Sequence, residues 1–242
     1  MAVFDCQCWL GGSIVPGVSQ TAASVTADFA DHAVERALLM SAHARVVDPL
    51  AGNRFVRAAV EQIGALDGCL LAHVNRIESS IAAMRELMPL RSFLGMAVVG
   101  TDLQEPISLP MADEILNAYR RYTKPVLVFA LNGASVQAAH QIARGYPMLK
   151  VVLLGMGGHD WRQAIHAAHS ATNIVLETSG ALDRAKIPAA VEALGAHRVV
   201  FGSGSPGTSV AAALGMVRDA GISDDARRRI LWDNAVRLFD LE

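Results

Sequence analysis

The sequence predicts an α/β protein, a single (β/α)8 TIM barrel. Three observations point there. The chain has 242 residues, close to the roughly 250 of one such barrel. Hydrophobic residues make up 52% of it, the richness expected of parallel strands buried on both faces. Eight short apolar runs alternate with helical stretches, the pattern of consecutive β/α units. No internal repeat or linker divides residues 1–242, so we read one domain, large enough to bury a sizeable core.

The elements follow in order. The first strand is Val3–Leu10. The second, Ala37–Ser41, comes after a helical stretch around Asp28–Val34. The third is Gly68–Val74 and the fourth Phe93–Val99. The fifth, Pro125–Leu131, follows the helical stretch Met111–Tyr122. The sixth is Val151–Gly155, the seventh Ile174–Glu177 and the eighth Arg198–Gly202. Closing these strands into a barrel leaves no edge to protect. Asp160 is placed to cap a helix with the apolar stripe Trp161, Ala164, Ile165 and Ala168. Pro188 suits the first turn of the helix that runs to Gly195. Ser223 caps the last helix, with Asp224 and Asp225 near its positive end and Ala226, Ile230, Leu231, Ala235 and Leu238 on its buried stripe. Gly11–Ala27 shows little periodicity and follows the first strand, so it is expected over the face where barrel active sites open.

Charge and composition exclude several partners. With a formal net charge of −2, no basic field argues for nucleic acid or for an anionic membrane. No apolar run approaches the roughly 20 residues of a membrane span. The opening Met1-Ala2-Val3-Phe4-Asp5 lacks the charged start and apolar stretch of a signal peptide. Cys6, Cys8 and Cys69 are an odd set without zinc-like spacing. Alternation places Cys6 and Cys8 on one face of the first strand, where we read buried packing rather than a reactive or metal-binding thiol. These features predict a cytoplasmic protein.

Five segments, in order, resemble the amidohydrolase-2 branch of the metal-dependent hydrolase superfamily. Phe4-Asp5-Cys6-Gln7-Cys8-Trp9-Leu10-Gly11 resembles that family's opening Asp-x-His-x-His-Leu-Gly. Val34–Leu39 resembles its second strand. Val152–Gly158 followed by Trp161 resembles a strand-six motif, His-x-Gly-Gly and then Trp. Asn173–Gly180 resembles strand seven, and Phe201-Gly202-Ser203-Gly204-Ser205-Pro206 resembles Phe-Gly-Ser-Asp-x-Pro of strand eight. Asn234-Ala235 falls in the closing helix. The resemblance implies a divalent ion held by the His-x-His pair, with further ligands or bases on strands four to six and on the strand-eight Asp. Such an ion activates water for hydrolysis or, in some members, serves decarboxylation or hydration.

This sequence departs from the pattern at those positions. Gln7 and Trp9 replace the His-x-His pair, Gly155 the strand-six His and Gly204 the strand-eight Asp. The strand-five His falls at Phe129 or, one residue on, at Ala130, and strand four offers only Met96–Val99. A catalytic zinc takes three protein ligands and an open position. The expected cage supplies one amide oxygen, so no metal and no other cofactor is expected.

Other residues are weighed as substitutes. His159, just beyond the sixth strand, is a base or ligand at the barrel mouth, or a surface histidine at a helix start. His166 and His169 have metal-ligand spacing but belong to an outer helix. Glu177 lines the mouth or holds structural hydrogen bonds, and Asp5 fixes the barrel floor or a loop. Ser203 and Ser205 have no base partner visible in the sequence. Gly202-x-Gly204-x-x-Gly207 fits a dinucleotide pattern formally, but reads better as a degenerate turn. The favoured function is a noncatalytic pseudoenzyme. It would be a partner subunit, paired with itself or a related barrel chain, or a binder of a small apolar ligand at Gln7, Trp9, Phe129, Gly155, Ser203, Gly204 and Ser205. The first alternative is a metal-independent hydrolase or lyase with His159 and Glu177 as catalytic groups. The second is a metal-dependent amidohydrolase with unconventional ligands. The cavity is expected to be small and mainly apolar. Gln7→His, Trp9→His, Gly155→His and Gly204→Asp together are expected to rebuild four ligands.

Overall fold

The computed structural model describes residues 1–12 and 17–241. Among the described residues nine strands form one sheet: β1 (Val3–Gly12), β2 (Ser19–Gln20), β3 (Val34–Ser41), β4 (Leu66–His73), β5 (Phe93–Val99), β6 (Val126–Phe129), β7 (Val151–Leu154), β8 (Ile174–Glu177) and β9 (Val199–Val200). Their spatial order is β2-β1-β3-β4-β5-β6-β7-β8-β9. Only β2 is antiparallel, pairing back on the end of β1. Each parallel strand lies beside its predecessor, and a parallel neighbour requires a crossover.

The crossovers are helical: α1 (Ala22–Ala30), α2 (Ala42–Val46), α3 (Pro49–Gln62), α4 (Ile77–Leu87), α5 (Leu109–Tyr119), α6 (Gly133–Gly145), α7 (Trp161–Ser170) and α8 (Lys186–Leu194). After β9 come α9 (Val210–Arg218), α10 (Asp224–Arg228) and α11 (Asn234–Leu238). Backbone hydrogen bonds then join the two ends of the sheet. Cys6 N–H donates to Phe201 O (2.9 Å), Trp9 N–H to Ser205 O (2.8 Å), and Gly204 N–H to Gln7 O (2.9 Å). The sheet therefore curls round until β1 meets the segment that leaves β9.

Strand alternation sorts the core into two layers. Leu38, Met40, Leu71, Ala97, Val152 and Val200 pack inside the curl. Leu39, Leu70, Val98, Leu153 and Leu176 face outward with helix residues such as Ala83, Ile115 and Ile142. The C-terminal segment closes the end where the strands begin: the rings of Trp232 and Phe239 lie 6.2 and 5.6 Å from that of Phe4.

Several expectations change. The second predicted strand starts at Val34, not Ala37, and the helix before it is α1 rather than Asp28–Val34. Thr21 and Ser24 form a reciprocal capping box that starts this helix earlier, and Ala33 has a positive φ of 55° before β3 begins. Gly11–Ala27 contains the end of β1, all of β2 and most of α1; its residues Ser13–Pro16 lie outside the described residues. Asp160 does not cap α7. Its carboxylate accepts instead from Gly133 N–H (2.8 Å), at the start of α6, and from Gln163 Nε2 (3.3 Å). Ser223 does cap α10 through Ala226 N–H, but a π-helical turn over Arg229–Asp233 interrupts the last helix.

Cys6 and Cys8 do not share a face. Cys6 belongs to the inner layer and Cys8 to the outer. Between Asp5↔Ala37 and Cys8↔Leu39, three steps on β1 match two on β3, a one-residue bulge that re-aims the side chains. Phe4 and Cys6 point inward before it, and Trp9 points inward after it. Among the described residues no helix is long and apolar enough to cross a membrane.

Candidate functional site

The bulge in β1 delivers Gln7 and Trp9 to a cavity of about 140 Å³ at the C-terminal end of the strands. Phe129 at the end of β6, Leu131 beyond it and Leu103 supply the other apolar walls. Ser179 and Gly180 after β8, and Gly204, Gly207 and Thr208 after β9, complete it. The Trp9 and Phe129 rings stack, with centroids 5.8 Å apart and planes at 26°. Gln7, Trp9, Phe129 and Gly204 thus come together, whereas Gly155, Ser203, Ser205 and His159 stand outside the walls.

Each of those four has another position. Gly155 has φ +83°, and a Cβ there would meet Leu131 Cδ2 at 2.3 Å; its N–H donates to Glu177. Ser203 is fully buried and donates its hydroxyl to Asp5. Ser205 donates its hydroxyl to Gln20 Oε1 at 3.3 Å. His159 is exposed on a short 3-10 turn, and His166 and His169 are exposed on α7.

Beneath the cavity lie two fully buried carboxylates. Asp5 accepts hydrogen bonds from Gln7 N–H (3.0 Å), Ser203 N–H (2.9 Å) and Ser203 Oγ–H (2.5 Å). It therefore stitches β1 to the segment leaving β9 rather than fixing the floor. Burial pushes its pKa up to about 7 against the pull of these bonds, and the nearby Glu177 adds to the rise. Glu177 accepts from Ser179 N–H (2.7 Å), Ser179 Oγ–H (2.7 Å) and Gly155 N–H (2.9 Å). Burial raises its pKa too. Gly202 is glycine because a Cβ would stand 2.0 Å from Glu177 Oε1.

Two participants, and a buried histidine at a strand end, escaped the sequence reading. Ser179 Oγ lies 2.6 Å from Gln7 Oε1, so this one hydroxyl links the cavity wall to Glu177. Lys186, in the first turn of α8, is buried and donates Nζ–H to Thr178 O (2.5 Å) and Ser179 O (2.6 Å). Burial lowers its pKa to about 8 although Glu177 and Asp183 pull upward. His73 ends β4, two residues past inward-facing Leu71. Its Nδ1 accepts from Asn75 N–H at 3.1 Å, while burial and then Arg76 and Arg45 depress its pKa. Alternation along β4 was the signal that could have found His73. A larger cavity, about 670 Å³, opens beside β2, α2 and α3. Its walls include neither Gln7 nor Ser179, which connect the smaller cavity to the buried Asp5 and Glu177, so the smaller cavity is where the unusual chemistry converges.

A family model described as Amidohydrolase matches residues 7–241. The chain belongs to the amidohydrolase family. No curated protein matches it. Among solved structures, this chain is similar to a dihydroxybenzoic acid decarboxylase from Polaromonas sp., solved with manganese and 2-nitroresorcinol. The TM-score is 0.79 at 16% identity, over 99% of this chain and 97% of that one. A 2,6-dihydroxybenzoate decarboxylase from Rhizobium gives a TM-score of 0.78 at 14% identity, over 99% and 98%. A TIM-barrel protein from Bordetella bronchiseptica gives 0.72 at 14%, over 99% of both chains. At these identities the likeness shows the fold. The oxygen donors at this mouth are the Gln7 amide, bonded to Ser179, and the hydroxyls of Ser179 and Thr208, beside two aromatic rings and glycines. Among the described residues no three of His, Cys, Asp and Glu converge on a point that could hold a metal ion.

Proposed function

We propose that this chain is a single (β/α)8 barrel over residues 1–242 that binds a small, mainly apolar, single-ring ligand at its mouth without a metal ion. The observation that carries this reading is the Trp9–Phe129 stack, which walls the cavity where the family resemblance implies imidazole ligands. The residues present do not fit a divalent ion. Indole, phenyl and glycine bring no ligand atom, and three protein ligands are the usual minimum. Size decides the ligand class: drug-sized ligands occupy roughly 300–1,000 Å³, whereas a dry apolar cavity of about 150 Å³ takes one benzene. At about 140 Å³ the mouth admits one ring. The decarboxylases of similar fold are named for dihydroxybenzoates, which favours the same class here.

A metal-independent hydrolase or lyase is the second reading, favoured by the Ser179 hydroxyl that lines the cavity while bonded to Glu177. We also propose association with a second copy or a related barrel chain, supported by exposed Val46, Val47 and Phe55 on α2 and α3 and at their junction. Titration with toluene, benzaldehyde and aniline, followed by Trp9 fluorescence and calorimetry, tests the ligand reading. Saturable binding lost in Trp9→Ala supports it. Stoichiometric zinc or manganese in protein purified without chelator, or metal-dependent turnover of esters, lactones or benzoates, would overturn it.

A further inference from the structure

Ser179 Oγ lies 2.6 Å from Gln7 Oε1 and 2.7 Å from Glu177 Oε2. Both are hydrogen-bond distances for oxygen pairs. A hydroxyl carries one proton and donates once. Donation to both partners is impossible, so one of them must donate to Ser179. An ionised carboxylate has no proton to give; a carboxylic acid does, and so does the nitrogen end of an amide. Two arrangements satisfy the same heavy atoms.

In the first, Glu177 is neutral. Its Oε2–H donates to Ser179 Oγ, Ser179 donates to Gln7 Oε1, and the Gln7 Nε2–H group is left facing the cavity. In the second, Glu177 is ionised, having released its proton to water. The Ser179 hydroxyl turns to Glu177 Oε2, and the Gln7 amide turns over so that Nε2–H donates to Ser179 Oγ. Gln7 Oε1 then faces the cavity. The two amide ends are nearly isosteric, so the turn needs no extra room. The free end lies beside Gly204, where a Cβ would stand 3.9 Å away, and both residues line the cavity.

We propose that the proton shared among Glu177, Ser179 and Gln7 sets the hydrogen-bonding sense of the mouth cavity, which takes a single-ring ligand bearing an acceptor oxygen when Glu177 is neutral and one bearing a donor group when it is ionised. This rests on the small-ligand reading above. The charges that face Glu177 are few. Asp5 and Cys6 approach from β1 and Lys186 from α8. From Gly155 after β7 and Gly202 after β9 there are only backbone atoms. Lys186 favours the ionised state, Asp5 opposes it, and burial opposes it most. Burial thus pulls Glu177 toward the neutral acid and Lys186 pulls it toward the carboxylate.

The test separates this switch from the ligand reading, because its first measurement needs no ligand. Carbon-detected NMR follows the Glu177 carboxyl with pH, while nuclear Overhauser contacts of the Gln7 Nε2 protons report which way the amide points. The expected result is a shift of those contacts from Gly204 to Ser179 as Glu177 ionises. Alongside it, benzaldehyde affinity relative to toluene falls about tenfold at the same midpoint while aniline affinity rises, the size of one misplaced hydrogen bond. Ser179→Ala abolishes the pH dependence of both ratios. A Gln7 amide that ignores the Glu177 titration, or a Glu177 that keeps one charge state from about pH 5 to pH 9, overturns the proposal. Amide contacts that switch in a protein refusing all three compounds support the switch and sink the ligand reading.

Discussion

Asp5→Asn separates the cost of burying a carboxylate from the value of its hydrogen bonds. Asp5 is fully buried, and its pKa rises from 3.8 to about 7. Below pH 3.8 both the folded and the unfolded chain hold the proton, and the neutral acid gives its full contribution. Between 3.8 and 7 the unfolded chain releases the proton while the folded one keeps it, so stability falls as pH rises. Above 7 both forms are ionised and the slope vanishes. About three pH decades at about 1.4 kcal/mol each give a loss of about 4 kcal/mol. An asparagine keeps the shape. Its oxygen accepts from Gln7 N–H and Ser203 N–H, as Asp5 Oδ1 does, and its nitrogen donates to Ser203 Oγ, which frees that hydroxyl to turn to Gln7 O at 3.4 Å. Urea unfolding of both proteins from about pH 4.5 to pH 8.5 reads the effect as a difference, in which the other titrating groups largely cancel. The wild type is expected to lose about 1.4 kcal/mol per pH unit against the variant up to about pH 6.5, and then to run parallel with it above about pH 7.5. A difference independent of pH would show that Asp5 is ionised throughout and that its hydrogen bonds outweigh its burial.

Two substitutions at glycines probe the same layer. Gly202→Ala places a Cβ 2.0 Å from Glu177 Oε1 and is expected to cost about 3 kcal/mol or more; in a Glu177→Ala background the cost should shrink toward zero, and equal costs in the two backgrounds by urea unfolding would remove the argument. Gly155→His, added to Gln7→His, Trp9→His and Gly204→Asp, is expected to lower thermal stability sharply and bring no stoichiometric zinc. The reason is the 2.3 Å approach to Leu131 Cδ2 at a φ of +83°; a quadruple variant that melts like the wild type and holds one zinc by elemental analysis would refute this.

The succession of parallel strands and helices was legible because it rests on repetition. Eight apolar runs spaced by helices fix parallel neighbours, and the run boundaries at Phe93–Val99 and Ile174–Glu177 match β5 and β8 residue for residue. Gln7 and Trp9 were placed together because they are two apart on one strand. Other features were hidden because they depend on geometry between distant segments. The bulge that splits Cys6 from Cys8 is set by the register of β1 on β3, which the β1 sequence alone does not encode. Asp160 looks like a cap by its place before Trp161, yet it serves Gly133 on the neighbouring helix. Ser203 and Ser205 follow a strand end, as cavity residues often do, but the seam with β1 and β2 consumes both hydroxyls, through Asp5 on β1 and Gln20 on β2. Ser179 lies in a segment that resembles the family but was not singled out in it, and Lys186 belongs to no motif. They matter only because Glu177 is buried between them.

That dependence changes how the glycines of this layer are understood. In the sequence Gly155 and Gly204 stand where the resemblance implies a His and an Asp, and Gly180 and Gly202 belong to the matching segments. In the structure they fit around Glu177. The Gly155 N–H bonds its carboxylate, and Gly202 leaves the space that carboxylate fills. Gly180 packs so closely on Gly155 that a Cβ would fall 2.5 Å from the Gly155 carbonyl oxygen. A bare metal site would leave room at these positions; here the room is already taken by a buried acid and its hydrogen bonds. Of these four, only Gly204 would hold a Cβ at ordinary contact distances, with Ser179 Cβ at 3.6 Å and Gln7 Nε2 at 3.9 Å. The opening in this layer therefore lies where Gln7 presents the free end of its amide, and polar selection of a ligand falls to that amide.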